Sequence, residues 1–283
     1  MAFIDEQLKE FKVALESTII ERGARGKQSA IRSSNLIKLI HEAVKYELIE
    51  AGVNPEFVFP RLGNTRPEIK LAGHLKYKTQ DVCVIPGRLK KMPEVIDWGP
   101  LAFQGITDVY GAEFTCKTLS INIRSQMSSL AKNFDTLYER TFAEAFNLHL
   151  RCPSMVLGEV YLIPTHEYDD EEVKKRNVAF NERPTNIKHY LAAFDAINNR
   201  TLDDEVYKYE RCALLIVDFR PATPRLYRSS EELIEDGLVS PDFEIDLSSL
   251  GFDNFATDIL GIYAERHDIR DLGIHTLERV STN

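Results

Sequence analysis

Apolar side chains recur at helical intervals from the start of the chain. Phe3, Leu8, Phe11, Leu15 and Ile19 share one face, and Gly23 and Gly26 then break the period, so the pattern predicts a first helix over 3–21. Ser33 or Ser34 can cap a second helix. It buries Leu36, Ile37, Ile40, Val44 and Leu48, turns Glu42 away from that stripe, and stops near Ala51 and Gly52. Pro55, Pro60, Gly63 and Pro67 predict an ordered loop between Asn54 and Lys70 that carries Arg61 and Arg66. Asp81-Val-Cys-Val-Ile-Pro86 reads as a short apolar strand with an acid at its start. Ala112–Lys117 and Leu119–Ser125 read as one long strand or two consecutive ones.

A strong helix follows over 133–150, with Phe134, Leu137, Thr141, Ala145 and Leu148 on one face and Glu139 and Arg140 outside it. Met155–Ile163 is a buried strand closed by Pro164. The segment His166–Lys175 has no apolar period and reads as a solvated loop or the start of a charged helix. A helix over 186–198 and a core strand over 212–219, with Asp218 at its solvent end, come next. Two helical stretches, 230–236 and 252–266, are expected to pack on the sheet edge. The order of elements implies an α/β fold with a mixed central sheet flanked by helices. The expected organisation is one domain over 1–283: a core over about 34–220, an N-terminal helical extension over 1–33 and a C-terminal extension over 221–283.

Composition narrows the function classes. No stretch reaches the roughly 20 apolar residues needed to cross a bilayer. Asp5, Glu6 and Glu10 stand where a leader peptide needs an apolar run, so a cytoplasmic location without membrane contact is expected. Cys83, Cys116, Cys152 and Cys212 stand singly and read as reduced core cysteines. The seven histidines are dispersed and offer no zinc or triad spacing. A net charge of −9 argues against coating nucleic acid by overall attraction, but its distribution is uneven. From Arg22 to Lys91 fourteen Lys or Arg face six acids, which leaves +8 there and −17 over the rest. This third of the chain is either a solvated surface or a phosphate-facing side.

Chemistry concentrates around the middle strands. A phosphodiester resists hydroxide, so a site that cleaves it uses carboxylates to hold Mg²⁺, and a nearby cation to steady the nucleophile or the pentavalent state. Positions i and i+2 of a strand face the same side, so Asn122 and Arg124 point together. An amide in an apolar strand needs partners: Asn122 serves a site or bonds a neighbouring loop. Arg124 either acts in that site or pairs with a helix acid. Asp81 either binds metal or caps its strand.

Leu119-Ser-Ile-Asn-Ile-Arg-Ser-Gln-Met-Ser-Ser, followed by Asn133-Phe-Asp-Thr-Leu-Tyr-Glu-Arg-Thr-Phe-Ala-Glu-Ala, resembles type II restriction endonucleases of the PD-(D/E)XK superfamily over roughly residues 75–165. The resemblance implies a restriction-endonuclease-like core and a sequence-specific double-stranded DNA endonuclease using Mg²⁺ or Mn²⁺. It implies a homodimer matched to a palindromic site, and a cognate methyltransferase in the same system. Asp81 matches the aspartate that binds metal, Asn122 and Arg124 fall where Glu and Lys usually stand, and Ser125-Gln126 matches the Ser-Gln that follows. Glu42 matches the helical glutamate that often completes the site. Because Asn is a neutral ligand and Arg stays protonated, Glu113 on the preceding strand or Glu144 on the following helix are candidates for the missing acid. Lys117 on the same strand as Glu113 would lie ~13 Å from it, too far to pair. Arg61, Arg66, Lys76 and Lys78 are the candidate DNA contacts. The alternative is a non-catalytic DNA-binding or assembly protein that kept the nuclease fold.

Overall fold

A computed structural model describes residues 2–201 and 204–275. Its elements are α1 (Phe3–Arg32), α2 (Ser34–Glu50), β1 (Val58–Phe59), β2 (Lys70–Ala72), β3 (Tyr77–Thr79), β4 (Val82–Val84), β5 (Glu94–Val95), β6 (Thr107–Asp108), α3 (Ala112–Cys116), β7 (Leu119–Ser125), α4 (Leu130–His149), β8 (Leu157–Pro164), α5 (Asp170–Lys174), α6 (Ile187–Ile197), β9 (Arg211–Asp218), β10 (Arg225–Leu226), α7 (Ser230–Glu235) and α8 (Phe255–Arg266). The central sheet runs β1-β4-β7-β8-β9-β10. Its first three strands are successively antiparallel, β7, β8 and β9 are parallel, and β10 returns antiparallel. The fold is thus α/β, a mixed sheet with helices on both faces.

Strand alternation divides the core. Leu119, Ile121 and Ile123 face α1, α2 and α8, while Leu157, Tyr161 and Ile163 face α4 and α6. Ile4, Leu8, Phe11, Leu15 and Ile19 of α1 lie in the same apolar cluster as β4, β7 and α8, so the N-terminal extension is part of the core. Each fully buried side chain of this kind contributes about 1.5–3 kcal/mol.

Several sequence expectations change here. The first helix runs on to Arg32, because Gly23 takes a non-helical φ of 57° and both sides stay helical. A Cβ at Gly23 would sit 2.9 Å from the Val173 carbonyl oxygen, so the kink lets α1 approach α5 closely. Ala112–Cys116 is a helix, not a strand. Its turn brings Lys117 Nζ to 3.0 Å from Glu113 Oε1, the pair that strand spacing ruled out. The helix over 255–266 packs on β9 and α2 rather than on the sheet edge. Asp218 is buried and held by Arg220 instead of facing solvent. Cys116 and Cys152 form a disulfide across a sequence separation of 36, while Cys83 and Cys212 are free and buried. Among the described residues no helix is long and apolar enough to cross a membrane.

A buried carboxylate fastens the helices to the sheet. Glu210, just before β9, accepts hydrogen bonds from Leu157 N at 2.7 Å, Arg200 at 2.9 Å and Arg266 at 2.6 Å, and stands 3.2 Å from His149 Nε2. Burial alone would raise its pKa. His149, Arg266 and the Leu157 N–H outweigh burial and hold it down at about 2.

Glu210→Ala leaves these donors without their acceptor and is expected to destabilise the chain by about 3–5 kcal/mol in urea unfolding; a loss below about 1 kcal/mol would contradict this role. Reducing the Cys116–Cys152 bond is expected to lower stability by about 3–4 kcal/mol through the freed loop entropy, and a Cys152→Ser chain should then show no response to reductant.

Candidate functional site

Antiparallel pairing of β4 with β7 sets Val82 opposite Ile121, so Asp81 leaves the strand beside Asn122 and Ile123. Its Oδ2 accepts the Ile123 N–H at 2.8 Å. Asn122 and Arg124 alternate with the apolar residues of β7 and point to the α4 side of the sheet, where parallel β8 places Glu159 opposite Asn122. The turn spacing of α4 delivers Glu144 to the same place. Its Oε2 is shared by the Arg124 guanidinium and Lys78 Nζ.

Lys78 comes from the β2–β3 hairpin and also donates to Asn122 Oδ1 at 3.3 Å. Two clasps fix the hairpin. Asn147 of α4 accepts from Leu75 N at 2.7 Å and Lys76 N at 3.1 Å, and donates to Lys76 O at 3.1 Å. Ser120 donates to Gln80 Oε1 at 2.6 Å, and Gln80 donates in turn to Lys78 O at 3.1 Å. Buried Tyr209 closes the floor: Asn122 Nδ2 donates to its hydroxyl at 3.4 Å, and the hydroxyl donates to Thr141 O at 3.0 Å.

The site therefore gathers Asp81, Asn122, Arg124 and Glu144 of the expected set. It adds Lys78, expected only as a DNA contact, and Glu159 and Tyr209, which were not expected at all. A lone acid inside the apolar run Met155–Ile163 was the available signal for Glu159. Gln126 lies nearby but pins the start of α4 instead. It accepts from the Tyr161 and Tyr190 hydroxyls at 3.0 and 2.9 Å and donates to Leu130 O at 3.1 Å. Glu42 is taken by Lys45 and the Gly63 N–H, and Glu113, exposed on α3, pairs with Lys117. Arg61 and Arg66 are exposed, 3.8 Å from Glu56 and 3.2 Å from Glu68 respectively. Lys76 lies in the hairpin turn beside Asn147.

The electrostatics are those of a partly desolvated charge cluster. Glu159 is fully buried, and Arg124 Nε stands 2.8 Å from its Oε1. That contact is a charge pairing without hydrogen-bond alignment, because neither Glu159 oxygen nor Arg124 Nε has a hydrogen-bond partner. Burial pushes Glu159 up to about 7 against the pull of Arg124, with Glu144 adding to the rise. Burial likewise raises Asp81, against the Ile123 N–H, Lys78 and Arg124. For Arg124, burial works downward, but Glu159 and Glu144 outweigh it and keep the guanidinium charged.

A divalent ion fits this donor set in kind. Asp81, Glu144 and Asn122 offer oxygen only, the hard ligands that suit Mg²⁺ and Mn²⁺. The two Glu159 oxygens without hydrogen bonds mark a cluster of three carboxylates against two cations. Among the described residues no three Asp, Glu, His or Cys side chains form a complete cage. Mg²⁺ does not require one, since it takes one or two carboxylates and fills its remaining positions with water and substrate phosphate.

The raised Glu159 pKa has a defined sign. Between pH of about 4.5 and 7 the folded chain keeps a proton that the unfolded chain has released, so stability falls as pH rises through that window. Glu159→Gln removes the linkage. Unfolding free energies from urea titrations between pH 5 and 7.5 should decline more steeply for the parent than for this variant, by on the order of 1–3 kcal/mol across the range; parallel declines would refute the buried-acid assignment. Compared with protein-family models, curated proteins and solved structures, the chain matches none.

Proposed function

We propose that the chain is a sequence-specific double-stranded DNA endonuclease of restriction type, hydrolysing phosphodiesters with Mg²⁺ or Mn²⁺. The observation that carries this reading is the meeting of Asp81, Glu144, Lys78 and Arg124 on one face, at the pairing of β4 with β7. The order strand, strand, helix, strand that the resemblance implies has its counterpart in β4, β7, α4 and β8, with β8 parallel to β7. A restriction-endonuclease-like core is the finer fold we propose.

Each residue has a role in this reading. Asp81 and Glu144 would hold the metal, with the Asn122 amide oxygen as a neutral ligand. When bound, the ion would activate a water and neutralise charge on the phosphoryl oxygens. Arg124 is charged at all working pH values, so it cannot accept a proton and instead sets a fixed guanidinium fork against developing negative charge. Lys78 supplies a second cation in the same place, against Glu144 and Asn122. Glu159, behind Arg124, orients the guanidinium from beneath. Two copies of the chain would match a palindromic site with one cut per strand, and a methyltransferase would protect that site.

One observation favours a second reading, a DNA-binding protein without cleavage: the Glu144 carboxylate is already taken by two cations. Purified chain and Asp81→Ala, incubated with plasmid and phage DNA in Mg²⁺, Mn²⁺ or EDTA, separate the two. Discrete metal-dependent fragments that disappear with Asp81→Ala are expected. Intact DNA in every lane, with a retained gel shift, would replace the endonuclease reading with the second.

A further inference from the structure

The chain makes an excursion that begins and ends beside Asp81. Antiparallel pairing puts Val58 opposite Val84 and Phe59 opposite Cys83, so β1 runs toward the end of β4 where Asp81 stands. The chain leaves there, passes through residues 61–67 with every side chain exposed, and comes back along β2 and β3. Residues 61–80 hold Arg61, Arg66, Lys70, Lys76 and Lys78 against one acid, Glu68. A basic segment therefore borders an acidic site.

An exposed stretch without regular structure is ordinarily held by little. This one is gripped from below by a lysine that is 1% exposed. Lys45 Nζ donates to Arg61 O at 3.1 Å and Asn64 O at 3.0 Å, and its third direction goes to Glu42 Oε1. Glu42 Oε2 accepts the Gly63 N–H at 2.7 Å, where φ is +77°, and Asn64 N bonds Arg61 O at 2.9 Å to close the turn. Burying an ammonium costs several kcal/mol before its partners are counted, and an apolar residue of that size would pack the position more cheaply. What the lysine adds is a defined backbone for side chains that touch nothing buried.

Those side chains suit one kind of ligand. Arg61, Asn64, Thr65 and Arg66 offer guanidinium forks, an amide and a hydroxyl, the groups that bind base edges in a duplex groove, with Arg suited to guanine and Asn to adenine. The exposed ion pairs of Arg61 and Arg66 are weak and exchangeable. Bidentate base contacts demand a backbone fixed within a fraction of an ångström. Since α2 packs on β4 and β7, the same helix that holds the loop also holds the strands carrying Asp81 and Arg124.

We propose that the loop 61–66 reads the base sequence of the duplex, and that Glu42 and Lys45 are positioning residues that fix its backbone. This rests on the DNA-acting reading above.

The test is selection from a randomised duplex pool in EDTA by the full chain, Arg61→Ala, Asn64→Ala, Arg66→Ala and Lys45→Met, with thermal midpoints measured alongside. The parent should enrich one short sequence. Each surface variant should relax one or two positions of it, lowering discrimination there roughly 10- to 100-fold. Lys45→Met should lower the ratio of selected to mixed-sequence binding more than it lowers binding overall. If the parent enriches a sequence and the three surface variants, all folded, enrich it equally, the loop assignment is overturned while the DNA reading stands. If the parent binds no duplex, the functional reading itself is overturned and this assignment with it.

Discussion

The Glu144 carboxylate, shared between Arg124 and Lys78, is the contact through which four separate parts of the chain meet. Arg124 brings β7, Lys78 brings the β2–β3 hairpin, Glu144 brings α4, and Glu159 extends the charge to β8. None of these groups would be stable in that place alone, because an unpaired charge at partial burial costs several kcal/mol. The cluster holds together only as a set, and it keeps three acids against two cations. That imbalance is an unusual thing to bury, and it gives the α4 side of the sheet a polar seam through an otherwise apolar interface.

Among the described residues, the opposite side of the sheet is built mainly from apolar contacts. There α1, α2 and α8 bury aliphatic and aromatic side chains, and the two lysines that intrude from α1, Lys12 and Lys27, each find a backbone carbonyl and a carboxylate. One face supplies cohesion and the other carries the chemistry. Glu210 directly follows Tyr209 at the entry to β9, where His149, Arg200 and Arg266 compensate it fully. Two buried glutamates on one molecule thus lie on opposite sides of the usual carboxylate range, Glu210 with donors and Glu159 without.

Much of the fold was legible because burial on one face imposes a period. The second helix, the long helix before β8 and the strands β4, β8 and β9 appear within a few residues of where the pattern puts them. Ala112–Cys116 was not legible: five residues hold too little period to separate a helix from a strand, and Phe114 and Thr115 favour the wrong choice. Asp81, Asn122 and Arg124 could be singled out as polar residues among apolar ones. Lys78 could not, because in sequence it is one cation among several, and only the register of β2 with β3 and the Ser120–Gln80 contact aim it inward. The Cys116–Cys152 pairing had no sequence signal either, since it depends on where α3 and α4 both end.

The clasp between Asn147 and the hairpin turn sets a limit on how this sequence can drift. A Cβ at Gly73 would fall between 2.2 and 2.6 Å from three Asn147 side-chain atoms, so that position admits nothing larger than hydrogen while the clasp exists. Asn147 lies one turn beyond Glu144, and Lys78 five residues beyond Gly73. The tolerance of an ordinary-looking glycine is thereby tied to the placement of Lys78 in a site it never touches.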